Sequence, residues 1–300
     1  MSDFTSDFWS YYVAVITVVS IVACAILLWA MGSRRAPGQK VATMGHVWDE
    51  DLEEYNNPLP NWWRWLFYIT IFFSLAYLIL YPGLGRFAGT FEWTSAGQYH
   101  AEQARAAERY GPLFAKFAAM DIPAVAADPK AREIGQRLFL NYCAQCHASD
   151  AHGSRGFPNL ADNDWLYGGD PATIKATIVN GRNGIMPPFG AVLGDEGVKD
   201  TAHYVLSLSG LTHDSLFAHR GKALFVANCV ACHGADGKGN PALGAPNLTD
   251  RVWLYGGGET TVSETISAGR NNKMPAWGEF LDDAKTHLLA AYIWGLSNAK

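Results

Sequence analysis

One internal repeat fills most of the chain after residue 128. The pentapeptide CAQCH at residues 143–147 returns 86 residues later as CVACH at residues 229–233. Beyond the pentapeptides the offset becomes 88, and the segments PNL, WLYGG, GRN and MP all occur twice in the same order. Self-similarity held in register over this length indicates two copies of one structural unit.

Both pentapeptides have the C-x-x-C-H pattern by which c-type haem is attached, with two thiols forming thioethers to the porphyrin and the adjacent histidine binding the iron. A zinc site made of two C-x-x-C pairs needs them about 15–20 residues apart, whereas 82 residues separate Cys146 from Cys229. A thioredoxin-like motif or a disulfide framework would not explain the histidines. The sequence therefore predicts two covalently bound haem c groups, with thioethers at Cys143, Cys146, Cys229 and Cys232 and proximal iron ligands at His147 and His233.

Two methionines are the predicted sixth ligands of the irons. Met186 and Met274 occupy matching positions, 39 and 41 residues after the proximal histidines, and the Gly, Pro and Asn around them predict a loop in each copy. Ligation by histidine and methionine raises the reduction potential and fills the coordination sphere. The simplest pairing keeps each methionine with its own repeat, but near-duplicate units can also exchange them, and the sequence leaves both pairings open. His203 and His287 are rival ligands that do not align in the repeat, and we expect ordinary surface histidines there.

Two further pairs of residues have predicted supporting roles. The carbonyls of Pro158 and Pro246 are candidates to accept the Nδ1 hydrogen of each proximal histidine, although either proline can equally serve only to shape its loop. The guanidinium groups of Arg182 and Arg270 suit haem propionates, with a solvated loop position as the alternative.

The predicted fold class is all-α, with a two-helix transmembrane anchor followed by two tandem class I cytochrome c domains. In each domain an opening helix is expected to pack against the closing helix of its own repeat, namely 131–142 against about 196–208 and 218–228 against about 281–295. A unit of about 85 residues is short of core, so the cofactor is expected to supply much of the apolar interior. The divisions are 1–85 for the anchor, 86–127 for a periplasmic helical linker, 128–211 for domain 1 and 212–300 for domain 2.

Two uncharged windows precede the repeat. Residues 8–33 and 65–85 contain no Asp, Glu, Lys or Arg, and about 20 apolar residues suffice to span a bilayer as a helix. Tryptophan and tyrosine flank both windows, as at membrane interfaces. We therefore predict transmembrane helices over about 8–31 and 62–81. A cleaved signal peptide is the alternative for the first, but the tail before it has two aspartates and no Lys or Arg.

Charge places the loop between the two spans in the cytoplasm. Arg34, Arg35 and Lys40 lie in that loop, and no Lys or Arg precedes the first span, so the positive-inside bias puts both termini in the periplasm. Haem attachment on the outer face of a bacterial inner membrane requires the same orientation. Residues 46–61 are expected to be a solvated acidic loop followed by a turn into the second span. A formal net charge of −5 excludes a basic surface for nucleic acid.

Three features occur together in this sequence: the two spans, the duplicated haem units, and the segment from His46 to Trp65 with its acidic cluster and NNPLP turn. This combination resembles the diheme cytochrome c subunit (subunit III, CcoP/FixP type) of cbb3-type cytochrome c oxidases over almost the whole chain. The resemblance implies a subunit without a catalytic centre that accepts electrons from a donor cytochrome c. It implies as partners a monoheme cytochrome c subunit and the catalytic haem b/haem b3–copper subunit that reduces oxygen, in the bacterial inner membrane.

Two other function classes share the motifs. A membrane-anchored diheme shuttle that works alone, similar to the cytochrome c4 group, would have no partner with b-type haem or copper. A diheme peroxidase or sulfur-compound dehydrogenase needs an open or exchangeable iron position, whereas methionines are predicted to fill both.

Overall fold

The computed structural model describes residues 4–32, 38 and 40–298, and it divides the chain into two compact units that meet between Glu108 and Arg109. Helices dominate both units, as predicted, and four short strands lie among the described residues. In chain order the elements are α1 (Asp7–Met31), β1 (Thr43–Trp48), β2 (Leu52–Tyr55), α2 (Asn61–Leu80), α3 (Ser95–Ala118), α4 (Ile122–Ala127), α5 (Pro129–Tyr142), α6 (Ala144–His147), α7 (Pro171–Asn180), β3 (Arg182–Met186), α8 (Gly190–Leu208), α9 (Ser215–Asn228), α10 (Val230–His233), α11 (Glu259–Ala268), β4 (Arg270–Met274) and α12 (Asp283–Asn298).

Two long apolar helices, α1 and α2, form the first unit's main elements, and each is long and apolar enough to cross a membrane. Polar contacts join the helices at both ends. At one end, Arg64 Nη1 donates to the carbonyl oxygen of Gly32 at 2.8 Å. At the other, Arg86 forms an ion pair with Asp7, and its backbone N–H donates to Ser10 Oγ at 2.9 Å. The predicted helices are confirmed to within one residue at each end.

Part of the expected acidic loop is an antiparallel hairpin of β1 and β2 instead. Every residue of both strands is exposed, so no alternation of buried and exposed positions marks them. Asp49 and Glu50 make the turn with φ of 41° and 66°, the left-handed region that aspartate tolerates better than most residues. Backbone pairing without a buried face explains why the apolar pattern did not predict these strands.

The repeat shows first in how α5 and α9 begin. Asp128 accepts hydrogen bonds from two backbone N–H groups of the first turn of α5, at 2.8 and 3.1 Å. Asp214, 86 residues later, does the same for α9 at 2.8 and 3.2 Å. Such caps satisfy N–H groups that have no partner within the helix. Both helices end at the first cysteine of a pentapeptide, where α6 and α10 start.

Each closing helix packs against the opening helix of the other repeat. Helix α12 lies against α4, α5 and α7, and α8 lies against α9 and α11. Two apolar cores result. The first core is built around Phe139, Ile174, Ile178, Leu288 and Leu289. The second core is built around Val205, Leu206, Phe225, Val262 and Ile266.

The expectation that opening and closing helices of the same repeat pack together is therefore wrong. The contact faces are nearly the same in both copies, so either partner fits: Tyr292 meets Phe139 at 5.6 Å between ring centroids, and Tyr204 meets Phe225 at 5.2 Å. Only residues 209–214 connect α8 to α9, and a connection this short favours antiparallel neighbours. Residues 128–211 and 212–300 thus describe the sequence repeat, and each packed core draws on both.

An ion pair between a buried carboxylate and a half-exposed guanidinium links α8 to α9. The guanidinium of Arg220 donates from Nε and Nη2 to both carboxylate oxygens of Asp200, at 2.7 and 2.6 Å. Asp200 is buried and Arg220 is half-exposed. At Gly221 a Cβ atom would overlap the carbonyl oxygen of Asp200, so the helices approach each other as closely as their backbones allow.

Candidate haem sites

Each C-x-x-C-H pentapeptide folds into one short helical turn. In the first, the N–H groups of Cys146 and His147 both donate to the carbonyl oxygen of Cys143, at 3.1 and 3.0 Å. The second repeats this pattern at Cys229, with distances of 3.1 and 2.9 Å. The turn holds two thiols and an imidazole within five residues, which is the donor set that covalent attachment of a haem requires.

The two proximal histidines are buried, and each is oriented by a proline carbonyl. Nδ1 of His147 lies 3.0 Å from the carbonyl oxygen of Pro158, and Nδ1 of His233 lies 3.1 Å from that of Pro246. Burial lowers the pKa of both imidazoles, and the carbonyl contact offsets this in part. A neutral ring that donates from Nδ1 carries its lone pair on Nε2, the form in which histidine binds a metal.

Two glycines that sequence reasoning missed make these carbonyl contacts possible. Gly153 and Gly239 lie six residues after the proximal histidines, with φ of 72° and 81°. A Cβ atom at either would overlap the loop backbone beside the proline, at the carbonyl oxygens of Phe157 and Ala245. Their shared offset of 86 was the available signal, because a glycine repeated at a matched position indicates a backbone conformation that other residues avoid.

The first thiol of each pair is the more enclosed. Burial, together with the neighbouring Cys146, raises the pKa of the Cys143 thiol to about 11. Burial likewise raises the pKa of Cys229. Cys146 and Cys232 are exposed. An enclosed sulfur is better accommodated as a neutral thioether than as a thiolate, since burial opposes charge.

The two predicted arginines are held in the same way in both repeats. The Arg182 guanidinium lies 4.7 Å from the centre of the Tyr167 ring, and its Nε donates to Thr177 Oγ1 at 2.9 Å. The Arg270 guanidinium lies 4.2 Å from the centre of the Tyr255 ring. Its Nε and Nη2 donate to Thr265 Oγ1 at 3.0 and 2.7 Å, and it also pairs with Glu264. Both guanidinium groups are thus positioned by their own repeats, at the start of β3 and β4.

Buried polar atoms of the repeated WLYGG segments fit a haem. Three buried side-chain atoms in the described part of the chain have no hydrogen-bond partner: Tyr167 Oη, Trp253 Nε1 and His203 Nε2. The first two belong to the repeated WLYGG segments. A buried donor without an acceptor is costly, and the propionates of a haem are the acceptors such donors suit. The residues present therefore fit two haem c groups.

The methionine segments form strands, not the loops that their Gly, Pro and Asn content suggested. Strands β3 and β4 pair antiparallel, with Arg182 opposite Met274 and Met186 opposite Arg270. Met274 packs against the first core, as do Cys143 and Leu160, and Met186 packs against the second core. The structure therefore brings each methionine to the core that carries the other repeat's pentapeptide.

The two rival histidines are buried, so the expectation of surface positions is wrong. His203 Nδ1 accepts from the backbone N–H of Asp214 at 3.0 Å, which ties α8 to the start of α9. His287 Nε2 lies 3.0 Å from the carbonyl oxygen of Met120, which ties α12 to the segment before α4. Burial lowers the pKa of His287. Both side chains thus hold the exchanged closing helices in place.

Two family models match most of the chain. Residues 40–88 match the N-terminal domain of cytochrome oxidase-cbb3, FixP. Residues 130–205 and 217–293 match cytochrome c oxidase, cbb3-type, subunit III. The chain is 53% identical to the cbb3-type cytochrome c oxidase subunit CcoP of Rubrivivax gelatinosus, over 99% of this chain and 97% of that protein.

More distant relatives carry related names. The CcoP subunit of Cereibacter sphaeroides is 38% identical over 89% of this chain and 98% of its own length. The FixP subunit of Bradyrhizobium diazoefficiens is 41% identical over 86% of this chain and 95% of its own length. The chain belongs to the CcoP/FixP family of cytochrome c subunits of cbb3-type cytochrome c oxidases.

Proposed function

We propose that this chain is the diheme electron-entry subunit of a cbb3-type oxidase, anchored in the bacterial inner membrane by α1 and α2. It accepts electrons from a donor cytochrome c and delivers them through a monoheme cytochrome c subunit to the catalytic haem–copper subunit. The observation that carries the proposal is the duplicated pentapeptide turn, in which a buried imidazole is oriented by a proline carbonyl at 3.0 and 3.1 Å.

Four cysteines and two histidines would hold the two haem c groups. Cys143 and Cys146 would form the thioethers of the first site and Cys229 and Cys232 those of the second. When bound, each haem supplies a one-electron iron couple. The chain's own part is to fix the proximal imidazoles through the carbonyls of Pro158 and Pro246, to place the guanidinium groups of Arg182 and Arg270 toward propionates, and to exclude water.

A methionine as sixth ligand determines what such a site can do. Met186 and Met274 are the proposed sixth ligands of the two irons, one to each. With both residues bound, no position on the iron would remain for oxygen or peroxide, so the chain would carry electrons and perform no oxygen chemistry of its own. The thioether sulfur also favours the reduced iron, which suits a subunit that supplies a downstream oxidant.

The proposed topology follows from charge and from where haem c is attached. Arg34 and Arg35 lie outside the described residues, and with Lys40 they place the loop between α1 and α2 in the cytoplasm. Both termini and the proposed domains, 128–211 and 212–300, are then periplasmic. Residues 86–127 form the proposed linker, and α3 occupies most of it.

A haem and metal census of the complex purified through a tag on this chain tests the function. We expect two covalent haems on this chain, and b-type haem and copper on co-purifying chains. A preparation that is stable alone with only c-type haem would favour the free shuttle. Rapid turnover of peroxide by the isolated chain would overturn the non-catalytic assignment.

A further inference from the structure

Each repeat places a tyrosine ring beside its predicted propionate arginine. The guanidinium of Arg182 lies over the ring of Tyr167, and that of Arg270 lies over the ring of Tyr255. Both tyrosines come from the WLYGG segments, and the two pairs occupy matching positions 88 residues apart. The two haem sites therefore start from the same ring and the same cation, and the other contacts of these groups decide whether the sites behave alike.

The Tyr167 pair belongs to the first core, and the other pair belongs to the second. Trp165, two residues before Tyr167, packs against the first core, as does Cys143 of the first pentapeptide. Trp253 packs likewise against the second core, which contains Cys229. The tryptophan is present in both repeats and gives both sites the same indole. The tyrosine hydroxyls and the partners of the arginines are where the sites differ.

The hydroxyls of the two tyrosines are engaged differently. Tyr255 Oη donates to Oδ1 of Asn272 in β4. The matching residue in β3 is Gly184, which has no side chain to accept a hydrogen bond, and a Cβ atom there would lie 3.0 Å from Tyr167 Oη. Tyr167 Oη is buried and has no hydrogen-bond partner among the described residues. One difference between the repeats thus leaves the hydroxyl of the first site free to donate and occupies that of the second.

A loop of the second repeat packs tightly over the free hydroxyl. A Cβ atom at Gly244 would lie 2.2 Å from Cζ and 2.5 Å from Oη of Tyr167, so the loop backbone touches the outer edge of the ring. The corresponding contact in the other direction is looser, since a Cβ atom at Gly156 would lie 3.4 Å from the nearest atom of Tyr255. A buried hydroxyl without an acceptor is costly. Tyr167 therefore suits an acceptor that arrives with the cofactor.

The two arginines differ in the same direction as the hydroxyls. Arg270 Nη1 pairs with Glu264 at 3.2 Å. The matching residue of the first repeat is Ala176, so Arg182 lacks this partner. Glu264 is half-exposed, and water screens part of its charge. We therefore expect the arginine difference to have a smaller effect than the hydroxyl difference.

We propose that the free hydroxyl of Tyr167 and the guanidinium of Arg182 give the first haem a higher midpoint potential than the second. In the second site Asn272 and Glu264 already engage the equivalent groups. Ionised propionates stabilise ferric iron, and a hydrogen-bond donor or a cation beside them offsets their charge and favours ferrous iron. The assignment rests on the proposed presence of two haem c groups. All four residues are positioning residues, because they act on the iron through the propionates.

Phenylalanine variants of the full diheme chain test the proposal in a spectroelectrochemical titration. Tyr167→Phe should lower the higher of the two midpoint potentials and leave the lower one in place. The expected change is threefold to tenfold in the reduction equilibrium of that haem, or about 28–59 mV at 59 mV per tenfold. Tyr255→Phe is the matched control, because it removes a hydroxyl that Asn272 already engages. Its two potentials should change by less than about twofold, or about 18 mV.

A second set of variants makes each site resemble the other. Asn272→Ala frees the hydroxyl of Tyr255, and Glu264→Gln removes the negative charge beside the second arginine, so each should raise the lower potential. Adding Tyr255→Phe to Asn272→Ala should reverse the gain, which a merely structural role of Asn272 would not produce. Gly184→Asn offers Tyr167 an acceptor and should lower the higher potential while the hydroxyl stays. This variant keeps the test decisive if Tyr167→Phe fails to fold.

Four results would overturn the proposal. They are two potentials that coincide in the unmodified chain, no shift in Tyr167→Phe, a Tyr167→Phe shift confined to the lower potential, and equal shifts in Tyr167→Phe and Tyr255→Phe. Failure of the proposed function is distinguishable from these results, because the mass of the unmodified chain would then not include two covalent haems. With two haems present by mass, the potentials alone decide whether the sites are unequal in the expected sense.

Discussion

The ring of Tyr292, in the last helix of the chain, packs against Phe139 at 5.6 Å between centroids, beside the helix that leads into the first pentapeptide. The two residues belong to different repeats. Gly135 lets α12 approach α5 closely, because a Cβ atom at this position would lie 2.6 Å from Tyr292 Cβ. One aromatic contact thus joins the two ends of the haem-bearing region.

Gly221→Ala should destabilise the chain by about 2–3 kcal/mol, since the added methyl overlaps the Asp200 carbonyl and the helices must separate. Gly258→Ala is the matched control, because nothing lies within 4 Å of its Cβ position. Because Gly258 is the N-cap residue of α11, the control variant should lower the stability by less than about 1 kcal/mol. Thermal unfolding followed by circular dichroism measures both. Equal losses for the two variants would argue against the tight α8–α9 contact.

The exchanged helices should make the haem-bearing region unfold in one transition. Each core contains elements of both repeats, so neither can unfold while the other stays intact, unlike ordinary tandem domains. Calorimetry of the haem-loaded chain should show a single unfolding transition. The haem absorbance should show that both haem environments are lost in that same transition. Gly135→Ala adds a methyl group to the first core only. It should nevertheless lower the unfolding temperature of both haem environments by the same amount. Two separate transitions, or a shift confined to one site, would contradict the shared cores.

Gly153→Ala should raise the midpoint potential of the first haem. The added methyl overlaps the Phe157 carbonyl and displaces Pro158 from His147 Nδ1, and an imidazole without that acceptor is a weaker donor to ferric iron. Gly210→Ala carries the same left-handed strain, with φ of 64°, but meets no atom within 4 Å. The control should keep both potentials in a spectroelectrochemical titration. Unchanged potentials in Gly153→Ala would mean that the carbonyl contact does not tune the iron.

Asp164 should make stability fall as the pH rises from about 4 to about 6. Burial and the neighbouring Asp250 raise the pKa of Asp164 to about 6, so over this range the folded chain binds a proton that the unfolded chain has released. Asp164→Asn removes the cost of holding an ionised carboxylate at this position. Above pH 7 it should stabilise the chain by on the order of 1 kcal/mol, a modest gain because partial exposure screens the charge. At pH 4 it should change the stability by nothing. The exposed Glu279→Gln serves as control. A gain independent of pH would contradict this cause.

The local parts of this molecule were readable from its sequence, and the long-range parts were not. The proline contacts join residues only 11 and 13 positions apart, and each pentapeptide turn is shorter still, so motif and spacing define them. The exchange of α8 and α12 is different, because Phe139 and Phe225 present matching surfaces and either closing helix satisfies them. Similar copies carry no sequence signal that says which partner is used, and only the short connector at residues 209–214 favoured the outcome.

The strands were missed for a related reason. Segments RNGIM and RNNKM have no apolar alternation, and they form strands because each pairs with its counterpart in the other repeat. The β1–β2 hairpin likewise has no buried face. The burial of His287 could not be predicted because its partner, the carbonyl of Met120, lies 167 residues away in the chain.

Helix α12 follows both pentapeptides in the chain and is made after them, yet the first core is incomplete without it. Until Asp283–Asn298 arrives, the surface around Phe139 has no cover. If the proposed haem attachment holds, the thiols of Cys143 and Cys146 would stay accessible while the second repeat is still being made. The order of biogenesis would then follow from topology, because both haems could be joined to an open chain before the sixteen-residue helix α12 encloses them.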